Sequence, residues 1–289
     1  MNRNRTAHPR LRQLKAALPF LAPSLAGLSV FVLIPFGDTL RRSFCNAMGN
    51  RWVGLTNYRQ VVTNSAFQLA AKNTAKFLCV CLPLLLGLSL ALALMVRAQN
   101  RKGGVFRGTF LLPMAVPVSA IVLLWKVLFS DQGLVNGVIT ALGGEPVSFL
   151  STNAAFWVLV VTYLWKNAGY DMILWLAGLD NISKDLYEAA AADGAGPLQQ
   201  FRYITLPELR PMVGVVGLLS LINTFKVFRE AYLVAGNYPH ESMYLLQHLF
   251  NNWFLDLDMG RLTAAACLMV LVLLAVIGLG RRYWRLDEG

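Results

Sequence analysis

Seven polar or aromatic residues sit where a mostly apolar chain has little reason to place them. Asn167 and Asp171 are four apart, with Tyr163 and Tyr170 beside them. On a helix that spacing puts the asparagine and the aspartate on one face. Asn223 stands alone in a later apolar run, and Lys226 and Glu230, again four apart, have the right spacing to pair. Two chemistries fit these types. Amide, carboxylate, phenol and ammonium groups at mid-depth form a path that hydrogen-bonds a polar solute, or they act as polar ties between packed helices. Bond-breaking chemistry has no support. His8, His240 and His248 are the only histidines, and there is no H-E-x-x-H cluster. No nucleophile elbow and no phosphate-binding G-x-x-x-x-G-K-[ST] loop occurs. The four cysteines, Cys45, Cys79, Cys81 and Cys267, have neither metal-ligand spacing nor a disulfide pattern.

The elements that must hold these residues are membrane helices. The 289 residues are 56% hydrophobic and 14% charged, against roughly 25% charged in a soluble domain. The apolar residues gather in runs rather than alternating, which predicts an all-α integral membrane protein. Six runs are long enough to span: 16–36, 73–96, 109–129, 155–179, 212–235 and 263–280. Pro113 and Pro117 each remove a backbone donor inside the third run, so a kink or a loosened helix is expected there. The basic N-terminus leads into a long apolar run without a small-residue cleavage site. It reads as a retained first helix rather than a signal peptide.

The formal net charge of +11 is distributed as membrane topology requires. Residues 1–15 and 97–108 carry Lys and Arg without a single acid, and the tail carries Arg281, Arg282 and Arg285. Residues 130–154 and 236–262 are acidic on balance. This predicts both termini in the cytoplasm, with one dissenting external segment, 37–72, which contains Arg41, Arg42, Arg51, Arg59 and Lys72. No basic stripe interleaved with aromatics is present, so nucleic acid is not an expected partner.

Between the fourth and fifth runs lies the largest predicted cytoplasmic loop, EAAAADGAGPLQQFRYITLP over residues 188–207. Ser183 is an expected N-cap for a helix starting at Lys184, with Asp185 and Glu188 in its first turns. Gly194 and Gly196 should end it. Pro197 suits the first position of a second short helix, which Pro207 is expected to stop. The product is a small-residue knob flanked by carboxylates, shaped to enter a groove on another protein.

Glu188-Ala189-Ala190, Asp193-Gly194-Ala195, Phe201, Ile204, Leu206 and Pro207 resemble the EAA loop of binding-protein-dependent ABC importer permeases. Gly54-Leu55-Thr56-Asn57-Tyr58 resembles the external motif of the sugar-importer (maltose/glycerol-phosphate-type) branch. Pro113, Pro117, Trp125, Gly133 and Asn136 are similar to its third-helix pattern, Leu176-Ala177-Gly178-Leu179 to the run into the loop, and Gly260 with Thr263-Ala264-Ala265 to the start of the last helix. The sequence departs from the pattern at Ser183, where proline is usual, and at Gly236-Asn237-Tyr238-Pro239, which replaces a Gly-Gly-Pro turn.

The resemblance implies a six-helix type I importer permease. It has a basic cytoplasmic N-terminus over 1–15, a transmembrane domain over 16–280 with the coupling loop at 180–211, and a cytoplasmic tail over 281–289. The chain would form half of a solute pathway, for a sugar or oligosaccharide, in a bacterial inner membrane. It would bind no cofactor itself. ATP and Mg would be hydrolysed by two separate ATPase subunits. A second homologous permease and an extracytoplasmic solute-binding protein would complete the assembly. ATPase contact would fall on Glu188, Ala189, Ala190, Asp193, Gly194, Ala195, Phe201, Ile204 and Pro207. The solute path would fall on Tyr163, Asn167, Tyr170, Asp171, Asn223, Lys226 and Glu230. The alternative is a stand-alone secondary transporter or channel. That class needs its own coupling-ion site and usually carries internal repeats; no clear repeat is visible, and the loop is left without a task.

Overall fold

A backbone in hydrocarbon must satisfy its own N–H and C=O groups, and a helix does so within one segment. The computed structural model describes residues 9–99, 103–225 and 227–285. Among them the one β pairing is an isolated bridge between Cys45 and Trp52. In chain order the first α-helices are α1 (Pro9–Leu28), α2 (Ile34–Ser43), α3 (Thr56–Thr63), α4 (Ser65–Ala98) and α5 (Gly103–Ala115). Then come α6 (Val118–Phe129), α7 (Leu134–Ala141), α8 (Ala154–Asp180), α9 (Lys184–Ala192) and α10 (Pro197–Gln200). The last are α11 (Leu206–Glu208), α12 (Arg210–Thr224), α13 (Phe228–Ala235), α14 (Leu246–Leu255) and α15 (Met259–Arg285). Turns of π-helix occur at Ser29–Leu33 and Phe201–Thr205.

Among the described residues, five segments are long and apolar enough to cross a membrane: Pro19–Ser43, Ser65–Ala98, Val118–Ala141, Arg210–Ala235 and Met259–Gly280. Helix α8 is 27 residues long but is not among them, because Lys166, Asn167 and Asp171 dilute its apolar run. The expected third span over 109–129 is not continuous. Helix α5 ends at Ala115, and Pro117, extended at φ −59° and ψ 143°, starts α6. Proline has no N–H to donate and drives the residue before it away from helical backbone, so the break falls where both effects coincide. The apolar stretch then runs on through α7 instead.

The chain divides into two compact units. One comprises residues 1–62 and 253–270. In it Asn57, buried, donates from Nδ2 to the carbonyls of Ser43 (2.9 Å) and Cys45 (2.7 Å). The Tyr58 hydroxyl meets Ser43 Oγ at 2.7 Å, so the Gly-Leu-Thr-Asn-Tyr motif closes the turn after α2. Asp38 accepts from Arg41 (3.0 Å) and Arg42 (2.6 Å), which offsets part of the positive charge of segment 37–72.

The other unit comprises residues 63–252 and 271–289 and is organised around α8. Helices α4, α5 and α12 pack against it. One cluster joins Phe77, Trp125, Leu159 and Tyr163; a second joins Val96, Trp175, Leu179 and Leu209. Helix α5 comes onto α8 at Gly169. A Cβ there would lie 1.8 Å from the Phe110 carbonyl oxygen, so a larger residue would drive the helices apart. Asn136 on α7 donates to the carbonyls of Ser130, Asp131 and Val147 and accepts from the Val147 amide (2.8 Å), which pins the loop leading to α8.

Candidate functional site

Two sites emerge in the second unit. The first is a cavity of about 200 Å³ lined by Met114, Thr162, Tyr163, Lys166, Asn167, Asn223, Val227 and Glu230. Helix α8 supplies one wall, because Thr162, Tyr163, Lys166 and Asn167 follow the three- and four-residue spacing of one face. Helices α12 and α13 supply Asn223 and Glu230. Lys166 Nζ and Glu230 Oε1 form an ion pair, with side chains 17% and 7% exposed. Asn167 Nδ2 donates to the Tyr163 carbonyl (2.9 Å). Glu230 Oε2 is buried and has no hydrogen-bond partner among the described residues. Buried carboxylate oxygens are costly to leave unmatched, and a hydroxyl-bearing solute is a natural donor to one.

Four of the seven sequence-predicted path residues therefore meet: Tyr163, Asn167, Asn223 and Glu230. Asp171 does not join them. It is buried, and Ser220 Oγ donates to its Oδ2 at 2.6 Å. The Tyr163 hydroxyl lies 3.1 Å from the Ser220 carbonyl and 3.0 Å from Thr224 Oγ1. Asp171 and that hydroxyl thus tie α8 to α12. Tyr170 is half-buried and lies outside the cavity lining. The expected Lys226–Glu230 pairing lies outside the described residues, because Lys226 does; among those described, the cation beside Glu230 is Lys166 of α8. Sequence reasoning passed over Lys166, although it is the only cation in the run 155–179.

The second site is the loop between α8 and α12. Ser183 Oγ accepts from the Asp185 amide (3.2 Å) and caps α9 as expected. At the other end the Ala195 amide donates to the Ala190 carbonyl (2.8 Å) and the Gly194 amide to that of Ala191 (3.0 Å). Gly194 has φ +82°. These bonds and that left-handed residue make a Schellman motif, the reason the helix stops here. Pro197 opens α10, and Gln199 Oε1 accepts from the Gly196 amide (2.9 Å).

One expectation fails. Pro207 does not stop the second helix. The backbone stays helical through the π-turn Phe201–Thr205, α11 and into α12. In that turn the Leu206 amide reaches the Phe201 carbonyl. The wider turn falls just ahead of Pro207, whose missing N–H would break a regular ladder.

Glu188, Ala189, Asp193, Gly194 and Pro207 are exposed, whereas Ala190, Ala195, Phe201 and Ile204 are half-buried. Tyr187, not singled out by sequence, braces the loop. Its hydroxyl meets Thr205 Oγ1 at 2.9 Å, and the Arg97 guanidinium lies over its ring at 5.3 Å. A cleft of about 580 Å³ opens beside it, lined by Leu94, Arg97, Leu198 and Phe201 among others.

Residues 83–283 match the family described as "binding-protein-dependent transport system inner membrane component". The chain is 33% identical over 283 residues to the trehalose/maltose transport system permease protein MalF of Thermococcus litoralis, covering 95% of each. It is 30% identical over 269 residues to the lactose transport system permease protein LacF of Rhizobium radiobacter, covering 89% of this chain and 90% of that one. Among solved structures it resembles a chain of a bacterial ABC transporter involved in the import of the acidic polysaccharide alginate. The TM-score is 0.82 at 23% identity, covering 96% of this chain and 98% of that one.

Proposed function

Because the chain belongs to the family of binding-protein-dependent transport system inner membrane components and is an ABC importer permease rather than an enzyme, we propose that it carries a sugar or oligosaccharide across a bacterial inner membrane. Its relatives named for trehalose/maltose and lactose support that solute class. The cavity at Lys166, Asn167, Asn223 and Glu230 supplies fixed donors and acceptors of the kind hydroxyls need. Its small size suits one ring of a solute, or a path that widens when α8 and α12 move.

The observation that carries the coupling mechanism is the closed end of α9. A capped helix with a Schellman stop is a rigid lever, and its exposed Glu188 and small alanine face project from the loop. In this reading an ATPase subunit grips the lever, and Tyr187, Thr205 and Arg97 pass its movement to α4 and α12. The chain holds no nucleotide; ATP and Mg are used by two ATPase subunits. A second permease completes the pathway, and an extracytoplasmic binding protein delivers solute. Helix α8 counts as the sixth span, because its three polar residues are used inside the bundle, and both termini then face the cytoplasm. Residues 1–15 and 281–289 flank the 16–280 transmembrane domain, with the coupling loop at 180–211.

The test is retention of the ATPase on the purified assembly. Truncating one partner of a buried interfacial charge contact costs about 2–5 kcal/mol. Glu188→Ala should therefore weaken ATPase retention while membrane insertion is unchanged. Wild-type retention in Glu188→Ala and in Asp193→Ala together would place the contact elsewhere.

A further inference from the structure

The end of α4, the start of α5 and the first residues of the loop after α8 enclose a second polar cavity, which borders the loop site and shares Arg97 with it. It has a volume of about 510 Å³, and Arg97, Arg107 and Lys184 line it together with Gln99 and Asp180. Among the described lining residues, three cations accompany one carboxylate. That carboxylate is committed only loosely, since Arg107 and Asp180 are 3.9 Å apart and both half exposed to solvent. The cavity therefore keeps an excess of positive charge for an anion.

A neighbouring crevice of about 110 Å³ shares Val96 and Gln99 with it. The rest of its lining is Leu92, Met95, Phe106 and Phe110, wholly apolar. Met95 is 67% exposed, so this crevice opens outward from the side of α4, a helix long and apolar enough to span. A basic chamber joined to an apolar slot at the end of a spanning helix has the two-part chemistry of a phospholipid.

We propose that this cavity is a binding site for an anionic glycerophospholipid. The phosphate sits among Arg97, Arg107 and Lys184, and the first carbons of an acyl chain lie against Met95, Phe106 and Phe110. Guanidinium groups suit a phosphate because their paired N–H donors match its oxygens. The apolar slot selects a lipid over a free phosphate ion. Lys184 is also the first residue of α9, so an occupied site would hold the root of the lever described above; that consequence, unlike the binding itself, rests on the proposed coupling role.

The experiment is native mass spectrometry of the full chain, in the complex with which it purifies, exchanged into micelles containing phosphatidylglycerol or phosphatidylcholine of the same acyl chains. Phosphatidylglycerol adducts should persist at collision energies that strip phosphatidylcholine. Removing a cation near a membrane surface weakens anionic-lipid binding roughly fivefold. Arg107→Gln with Lys184→Gln should thus lower retention about 25-fold. Lys184→Gln alone, at an exposed first-turn position, should give about fivefold and guards against misfolding of the double variant. Arg202→Gln, elsewhere on the loop, should change nothing. Millimolar inorganic phosphate should leave the adduct in place. Equal retention of the two lipids, full retention by both Lys184 variants, or displacement by phosphate would each overturn the proposal. None of these outcomes depends on whether the chain carries sugar.

Discussion

Removing the ammonium of Lys166 with Lys166→Met should be far more damaging than the loss of one surface ion pair. Exposed pairs contribute about 0–1 kcal/mol. The Lys166 and Glu230 side chains are 17% and 7% exposed, which places them in the buried regime. There the single substitution leaves an uncompensated carboxylate and costs about 3–5 kcal/mol. The Oε2 atom of Glu230 already lacks a partner among the described residues, so losing the Lys166 ammonium adds to a carboxylate that is incompletely matched there. The double variant Lys166→Met/Glu230→Met removes both charges and should return to within about 1 kcal/mol of the parent, or exceed it. A cycle of the four proteins, unfolded by dodecyl sulfate in mixed micelles, would then read a coupling of about 5 kcal/mol or more, because each single variant strands a buried charge and the double strands none. Uptake of labelled sugar in proteoliposomes separates pathway from scaffold. The double variant should be stable and inactive, because the donors and acceptors that replace the solute's water are gone. A double variant as unstable as the single would refute the pairing. One that is stable and transports at the parent rate would show that the pair ties helices together and does not line the path.

Gly194→Val should loosen the loop by about 1–2 kcal/mol through its left-handed backbone alone, since nothing lies within 4 Å of the new Cβ. Gly194→Asn should lose less, so ATPase retention should rank Gly above Asn above Val; equal retention would remove the lever from the mechanism. Cysteines at Gly104 and Glu145 should react with impermeant reagents from opposite sides of the membrane, and labelling of both from outside would break the proposed topology. Burial pushes the His248 imidazole on α14 down to about 4, and its Nδ1 accepts from the Leu245 amide. Its folded form is therefore neutral. Stability is unaffected above the ordinary value near 6.5, then falls as the unfolded chain takes up the proton, by about 2 kcal/mol at pH 5. His248→Gln should flatten that fall in a thermal-denaturation series from pH 7 to pH 5.

The loop was legible in the sequence because its signals are local. A cap at Ser183, a left-handed stop at Gly194 and a helix-starting Pro197 act through bonds to residues a few positions away, so spacing alone locates them. Pro207 misled because its effect depends on register. A proline ends a regular ladder, but the π-turn before it changes which carbonyl needs a donor, and nothing in Phe201–Thr205 announces that turn. The cavity was half legible for a different reason. Spacing tells which side chains share a face of their own helix, so Asn167 and Asp171 were grouped, yet it cannot tell which faces meet. Helix α8 turns Asp171 toward Ser220 on α12 and Lys166 toward Glu230, sixty-four positions later in the chain. What decides this is close approach between helices, and the residue that permits it at α5 is a glycine with no chemistry to notice. Gly169 lets the Phe110 carbonyl sit against α8. Met114, one turn beyond Phe110 on the same face, then reaches the wall of the cavity. A side chain at position 169 would lift α5 off α8 and open that wall, so the glycine shapes the cavity without touching it.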